Sequence, residues 1–335
     1  MTAPAQRRPG GAPDGAVREW VPGRPVDLYG TLGTLTRGGG DPCHRRDGSG
    51  GLFRATLTPD GPGLLHLRVV PALAVVRAQA WGPGADWLLD GVPDLLGGRD
   101  CDDETGHGAF RPRPEHPVLV QAWRSRPGWR TPRSRAVLEA MVGAAVEQVV
   151  TGLEARRSLR ALVRLHGCPA PGAPAREGGP AEGMMVPPTP QQWAQVPTWE
   201  WLRAGVEGRR SAVVVRAARV AGRLEATLER THGEVEPVLR SLPGVGRWTA
   251  AEVRQRAHGD PDAFSFDDYH VAKNVSWALT GEVLDDDGCA EVIACYAGHR
   301  YRVQRLLELA GATRPRRGPR MTLQTHTPSA TSGRS

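Results

Sequence analysis

Two stretches of the chain carry residue types at spacings that could do chemistry. One is Leu242-Pro243-Gly244-Val245-Gly246-Arg247-Trp248-Thr249-Ala250. The other, about twenty residues on, is Asp267-Asp268-Tyr269. The first reads as a tight hairpin with a glycine at each bend. A helical pattern precedes it (Val235, Val238, Leu239, Leu242) and another follows it (Trp248, Ala251, Val253, Ala257). A helix that opens at Gly246 leaves its first N–H groups without partners in the chain, an arrangement suited to an anion and above all to a phosphate. The Asp-Asp pair starts a further helix behind the loop Gly259-Asp260-Pro261-Asp262. A carboxylate there is held ionised by free N–H groups and the helix dipole.

Composition sets the frame for these residues. A chain of 335 residues has room for two or three domains. Its hydrophobic fraction is 39%, diluted by 42 Gly and 30 Pro that cluster in loops and tails. The net charge of +7 and a pI near 9.7 permit an anionic partner without establishing one. Nearly every basic residue is arginine, and Lys273 is the sole lysine, which restricts any chemistry that needs an amine. Five scattered cysteines (Cys43, Cys101, Cys168, Cys289, Cys295) without a CxxC speak against a disulfide scaffold, structural zinc or a four-cysteine iron–sulfur cluster. The Pro/Gly/Arg-rich start lacks the apolar segment of a signal peptide. No apolar run reaches the ~18 residues that span a bilayer. A cytoplasmic monomer without a membrane segment is the expectation.

The expected fold is α+β, with a small antiparallel-sheet domain followed by an all-helical one. Residues 1–16 read as disordered, 18–110 as an α+β domain, and 111–131 as a linker. Residues 132–311 read as the helical domain, with a flexible loop at 168–188, and 312–335 as a disordered basic tail. In the first domain, Leu52–Thr58 and Leu64–Val69 alternate around Pro59-Asp60-Gly61-Pro62-Gly63, a hairpin signature. Ala74–Ala80 adds a strand, and helix follows over 85–96. In the second, Val137, Leu138, Met141, Val142, Ala145, Val146 and Val149 follow helical spacing. A second helix runs from Leu153 to Leu165, and Thr189-Pro190 caps a short one. Gly208 to Leu228 reads as one long helix, with Arg209, Arg216, Arg219 and Arg223 on one side. Helices near 268–279, 289–297 and 300–310 end the domain.

With hairpin, loop and aspartate in register, residues from about 130 to 310 resemble the helix-hairpin-helix–GPD superfamily of DNA glycosylases. Within it they are most similar to the bacterial 3-methyladenine (alkylbase) DNA glycosylase II branch. Pro127-Gly128, Glu147-Gln148-Val149-Val150-Thr151, Pro188-Thr189-Pro190-Gln191, Gly208-Arg209-Arg210-Ser211-Ala212, the hairpin and Phe266-Asp267-Asp268-Tyr269 carry the resemblance. It implies a fold, a partner and roles. Double-stranded DNA with damaged bases is the implied partner, gripped without regard to sequence through Gly244, Val245, Gly246 and Arg247, with Thr249 as a side-chain donor. Hairpins of this family can also hold a hard cation through carbonyl oxygens; no metal or cofactor is otherwise implied. The base would be flipped out, with the Gln148-Val149 turn wedged into the gap. The family's aspartate directly precedes the Tyr, which selects Asp268 as the catalytic carboxylate and leaves Asp267 as cap or support. An ionised carboxylate stabilises the oxocarbenium-like charge at C1′ and orients water.

Glycosylase–lyases of the superfamily resemble one another in placing a Schiff-base lysine two residues after the second hairpin glycine. Here that residue is Trp248, so the resemblance implies a monofunctional enzyme that uses water and leaves an abasic site. Trp248 and Tyr269 resemble aromatics that line the base pocket, where a cationic alkylated purine stacks on electron-rich rings. Two departures stand out. Glu252 occupies a position where the family commonly has an aromatic. The last helix, Tyr301 to Glu308, lacks the expected tryptophan. Two alternatives remain: a non-catalytic DNA-damage binder on the same scaffold, and a glycosylase for another lesion such as hypoxanthine or uracil.

Overall fold

The computed structural model describes residues 15–101 and 106–315. Of the arm expected over 1–16 and the tail expected over 312–335, residues 1–14 and 316–335 lie outside the described residues, and Ala16 is already in a strand. Five strands, β1 (Ala16–Trp20), β2 (His44–Arg46), β3 (Leu52–Thr58), β4 (Gly61–Val70) and β5 (Val75–Trp81), form one antiparallel sheet in the order β1-β5-β4-β3-β2. The expected hairpin pairs Leu52 with Leu67 and Thr58 with Gly61. Alternation assigns its two faces. Leu52, Leu65, Leu67, Val76, Ala78 and Ala80 pack on the helices Ala85–Asp90 and Val92–Leu95, while Phe53, Ala55, Leu64 and Trp81 face the opposite way. The edge strand β2 was not expected from the sequence.

The second face of the sheet explains a correction. Residues 168–188, expected as a flexible loop, are held in place. Cys168–Pro169 pairs with Met185–Val186, and Ala170, Ala181, Met184 and Val186 are buried against Phe53, Leu64 and Trp81. The Met185 N–H also donates to the Pro42 carbonyl at 2.8 Å. Four small or apolar residues scattered among Pro and Gly have no period to read, yet they suffice to cover an exposed sheet face. Residues 111–131, expected as a linker, contain the helix Pro117–Arg124. Its Leu119 and Ala122 are buried with Val275, Val303 and Leu306 of later helices.

The helices build two cores. Around the central helix Val137–Glu147 pack Gly152–His166, Pro190–Gln195, Gly208–Arg219 and Arg247–Val253. The N-terminus of the central helix lacks a cap of its own. Glu225 supplies one from elsewhere, accepting from the N–H groups of Val137 (3.0 Å) and Leu138 (2.8 Å). The long helix expected over 208–228 is broken at Val220 (φ −116°, ψ 19°) into Gly208–Arg219, Ala221–Glu225 and a 3-10 turn. The second core joins Pro117–Arg124, Val271–Thr280, Asp286–Ile293 and Arg300–Leu309. Among the described residues, no helix is long and apolar enough to cross a membrane.

Two buried ion pairs tie the N-terminal part of the chain to the helices. Arg54, 1% exposed on β3, donates to Glu139 of the central helix at 2.9 Å. Arg302, fully buried in the last helix, makes a two-pronged pair with Asp100 (Nη1 to Oδ2, 2.8 Å) and donates to His107 Nδ1 at 3.1 Å. Asp100 also accepts from the Thr131 N–H at 2.9 Å. Burial opposes its charge, but Arg302 holds the carboxyl below the usual carboxylate range. Replacing Asp100 with Asn leaves Arg302 buried beside a neutral group, so we expect a loss of about 3–5 kcal/mol of stability in urea unfolding. A loss below 1 kcal/mol would show the pair to be dispensable.

Burial pushes the neighbouring His107 imidazole down to about 3 from its ordinary 6.5. A depressed histidine makes the unfolded chain take up a proton first as the pH falls. Its stabilising contribution is therefore complete above about 6.5 and declines toward 3. The drop in unfolding free energy between pH 7 and pH 5 is expected to be smaller in His107→Asn than in the wild type. Equal drops would remove His107 from the acid sensitivity.

Candidate active site

The hairpin is built by close approach. Gly244 has φ +91°, and a Cβ there would come within 2.6 Å of the Val213 side chain. Only glycine meets both conditions. Val245 closes the turn through its N–H to the Leu242 carbonyl (3.0 Å) and buries its side chain. Its side chain and amide therefore face the fold. Gly244, Gly246 and Arg247 are exposed. Ala250 is the first residue to donate back into the helix, to the Gly246 carbonyl at 3.0 Å, so the N–H groups at the helix start have no turn to bind. Thr249, expected to present its hydroxyl outward, is 2% exposed, and its Oγ1 accepts from Gln148 Nε2 at 2.9 Å.

Gln148 also donates to the Gly244 carbonyl at 3.0 Å, and Arg216 donates to the Pro243 carbonyl at 3.2 Å. No step below uses a cation at the hairpin. The amide of Gln148 thus fixes the turn after the central helix to the hairpin. Val149, next in the chain, is fully exposed and has φ +55°. A β-branched residue in the left-handed region is a genuine outlier, and the core gains nothing from it.

The aspartate loop is positioned from below. Gly259 ends the preceding helix in the left-handed conformation (φ +71°), and Asp260, 1% exposed, accepts from Arg254 at 2.6 and 2.9 Å. Asp262 accepts from the Arg300 N–H at 3.0 Å. Ser265 is buried and its N–H donates to Gln304 Oε1 at 3.0 Å. Its hydroxyl donates to Glu252 (2.9 Å) and accepts from Gln255 (2.8 Å) and Gln304 (3.1 Å). Asp267 takes φ +66°, and its N–H donates to Asp286 at 2.7 Å. The capping expected of Asp267 is performed by Asp268, whose Oδ1 accepts from the N–H groups of His270 (2.7 Å) and Val271 (3.0 Å). Its Oδ2 carries no hydrogen bond among the described residues. The carboxylate is therefore fixed by one oxygen and open at the other.

The two aromatics expected in a base pocket lie differently. Trp248 is half-buried against the central core. Tyr269 is 70% exposed, with Lys273 Nζ 4.0 Å from its ring centroid. The sole lysine is thus engaged with the Tyr269 ring. Sequence reasoning missed Phe266, whose ring takes the Arg247 guanidinium at 4.8 Å and so links the hairpin to the aspartate loop. It also missed the network around Ser265. Glu252, noted as a departure, is 7% exposed and pairs with Arg256 at 2.6 Å. Burial pushes its carboxyl up against the pull of Arg256, and the charge of Glu147 adds to the rise. The helical spacing of Tyr301, Gln304, Arg305 and Glu308 was the available signal for the rest.

A glycine-bent hairpin, a strained exposed tip and an aspartate with one free oxygen are carried on two helical cores beside an antiparallel sheet. In fold the chain is similar to the 3-methyladenine DNA glycosylase from Archaeoglobus fulgidus (TM-score 0.67, 17% identity, 87% of this chain and 97% of that one). It is also similar to the 8-oxoguanine glycosylase/lyase from Clostridium acetobutylicum in complex with DNA containing cytosine opposite 8-oxoG (TM-score 0.63, 12% identity, 85% and 91%). In sequence it is 30% identical over 151 residues to DNA-3-methyladenine glycosylase 2 of Escherichia coli, covering 44% of this chain and 50% of that protein. The chain therefore matches about half the length of that curated relative. No family model matches the chain.

If Val149 is strained for a purpose outside the fold, relieving it should not weaken the protein. Val149→Gly is expected to leave the unfolding free energy unchanged or raise it by up to about 1 kcal/mol. A clear loss in chemical denaturation would show that the tip serves packing instead.

Proposed function

We propose that the protein is a monofunctional DNA glycosylase that hydrolyses the N-glycosidic bond of a base flipped from duplex DNA and leaves an abasic site. Alkylated bases of the 3-methyladenine type are the first substrate class, supported by the sequence likeness to a relative named for that base. The observation that carries the reading is Val149. It is fully exposed and left-handed, at a turn that Gln148 ties to the hairpin. A rigid apolar tip beside an anion grip is what filling the gap left by an extruded base requires.

The exposed amides at the start of the Arg247–Val253 helix take a phosphate oxygen, and Arg216 adds positive charge beside them. With the base extruded, the C1′–N bond lengthens and its electron pair goes to the base. Positive charge grows on the sugar. Asp268, held through Oδ1, offers Oδ2 to that charge and to the attacking water. The water oxygen bonds to C1′ and its proton passes to the carboxylate or to solvent. The position of a Schiff-base amine is taken by Trp248, so strand cleavage is not expected.

Asp268→Asn retains an acceptor for the two amides that Asp268 caps and removes only the charge. Base release from methylated duplex DNA is expected to fall at least a hundredfold, with DNA binding within about threefold and stability within about 1 kcal/mol. Retained turnover would exclude Asp268 from the chemistry. A wild-type protein that binds damaged DNA and releases no base of any kind would be a damage-binding protein instead.

A further inference from the structure

Asp268 is held from two sides. Ahead of it, Oδ1 accepts from the N–H groups of His270 and Val271, where the helix Val271–Thr280 begins. Behind it, Asp267 takes φ +66° and its N–H donates to Asp286 Oδ2 at 2.7 Å. Asp286 is the first residue of the helix Asp286–Ile293. That helix has its own cap, since Asp285 accepts from the Gly288 N–H at 3.0 Å. It is anchored by Cys289 and Ile293, buried with Val275 and Leu279. Its start is therefore secured without the Asp286 side chain, which is half-buried and turned to the aspartate loop.

A left-handed backbone is unfavourable for a residue with a Cβ, and it persists where the surroundings hold it. Here the hold is a charge-assisted bond from a backbone N–H to a carboxylate. It fixes the plane of the peptide between Phe266 and Asp267. With that plane fixed, the left-handed turn brings the next residue over the start of Val271–Thr280, where Asp268 caps with one oxygen and keeps the other open. Without the bond, Asp267 relaxes toward a negative φ and the carboxylate that follows it changes direction. We propose that Asp286 is a positioning residue for Asp268: it holds the left-handed Asp267 and through it sets where Asp268 Oδ2 points.

This rests on the glycosylase reading above and deepens it, by assigning a residue that touches none of the reacting atoms to the placement of the one that does. A simpler account would give Asp286 only a favourable charge at the N-terminus of its helix. Asp287 separates the two. It is the next residue of the same first turn and is exposed. It would serve the helix dipole equally, and among the described residues it has no contact with the aspartate loop.

The test is single-turnover base release from methylated duplex DNA, with DNA affinity and the thermal midpoint measured on the same proteins. Asp286→Ala is expected to lower the rate about tenfold or more, with affinity and midpoint close to wild type. Asp286→Asn keeps an acceptor for the Asp267 N–H and is expected to stay within about threefold of the wild-type rate. Asp267→Gly, added to Asp286→Ala, removes the Cβ that opposes the left-handed turn and is expected to regain about threefold or more. Asp287→Ala is expected to stay within about twofold of wild type. An unchanged rate in Asp286→Ala overturns the proposal. An equal loss in Asp287→Ala overturns it too, in favour of helix charge. So does a loss in Asp286→Ala that neither the asparagine nor the added glycine recovers, which would mark Asp286 as structural. No release by the wild type overturns the glycosylase reading, and this inference with it.

Discussion

The site depends on one buried hydroxyl. Ser265 Oγ donates to Glu252 and accepts from Gln255 and Gln304, which is the full capacity of a serine. Its backbone N–H is used as well. Glu252 and Gln255 belong to the helical run that the hairpin opens, and Gln304 belongs to the last helix. One residue therefore locks the aspartate loop to both helical cores, three positions before Asp268. Because each partner is itself buried, loss of any member leaves the others unsatisfied in a low-dielectric setting. Such a network tolerates no gradual drift: it forms whole, and it sets where Asp268 stands relative to the hairpin.

Strain is concentrated where that network delivers its residues. Among the described residues, four non-glycine positions have positive φ: Ala74, Arg135, Val149 and Asp267. Two of the four belong to the proposed site, one at the tip and one beside the carboxylate. Asp267 is held by its N–H to Asp286 and Val149 by the fixed Gln148 before it. Backbone strain of about 1–3 kcal/mol per residue persists only where surroundings over-determine the conformation. Here the surroundings are the hairpin carbonyl, the Asp286 carboxylate and the Ser265 node. The buried pairs Arg54–Glu139 and Arg302–Asp100 join the N-terminal part of the chain to the helices, and the Arg302 N–H also donates to the Pro261 carbonyl of the aspartate loop at 3.0 Å.

The hairpin and Asp268 were legible in the sequence because each needs a residue type that leaves a mark. Gly244 is required by a positive φ and a 2.6 Å approach, and Asp268 by two amides at a helix start. The hairpin of β3 and β4 was legible from alternation. Other features left no such mark. Glu252, Arg256 and Arg305 have the look of a solvated helix face, and only tertiary packing turns them inward. The segment 168–188 reads as low complexity, since its contacts with the sheet come from four unperiodic residues. Pro117–Arg124 was hidden by the prolines around it, although Pro117 at a first helical position is permissive. That Asp268 and not Asp267 makes the cap could not be read either. Both are acidic, and only the left-handed φ of the first assigns the cap to the second.

The two halves of the site divide the work along a physical line. The hairpin offers exposed backbone amides, which meet a phosphate whatever base it carries, and its contribution is electrostatic and open to solvent. The Ser265 network is buried, and its groups are fully engaged with one another. On the proposed function, affinity for DNA resides in the exposed hairpin, which is joined to the Val149 turn through Gln148 and to the aspartate loop through Arg247 with Phe266.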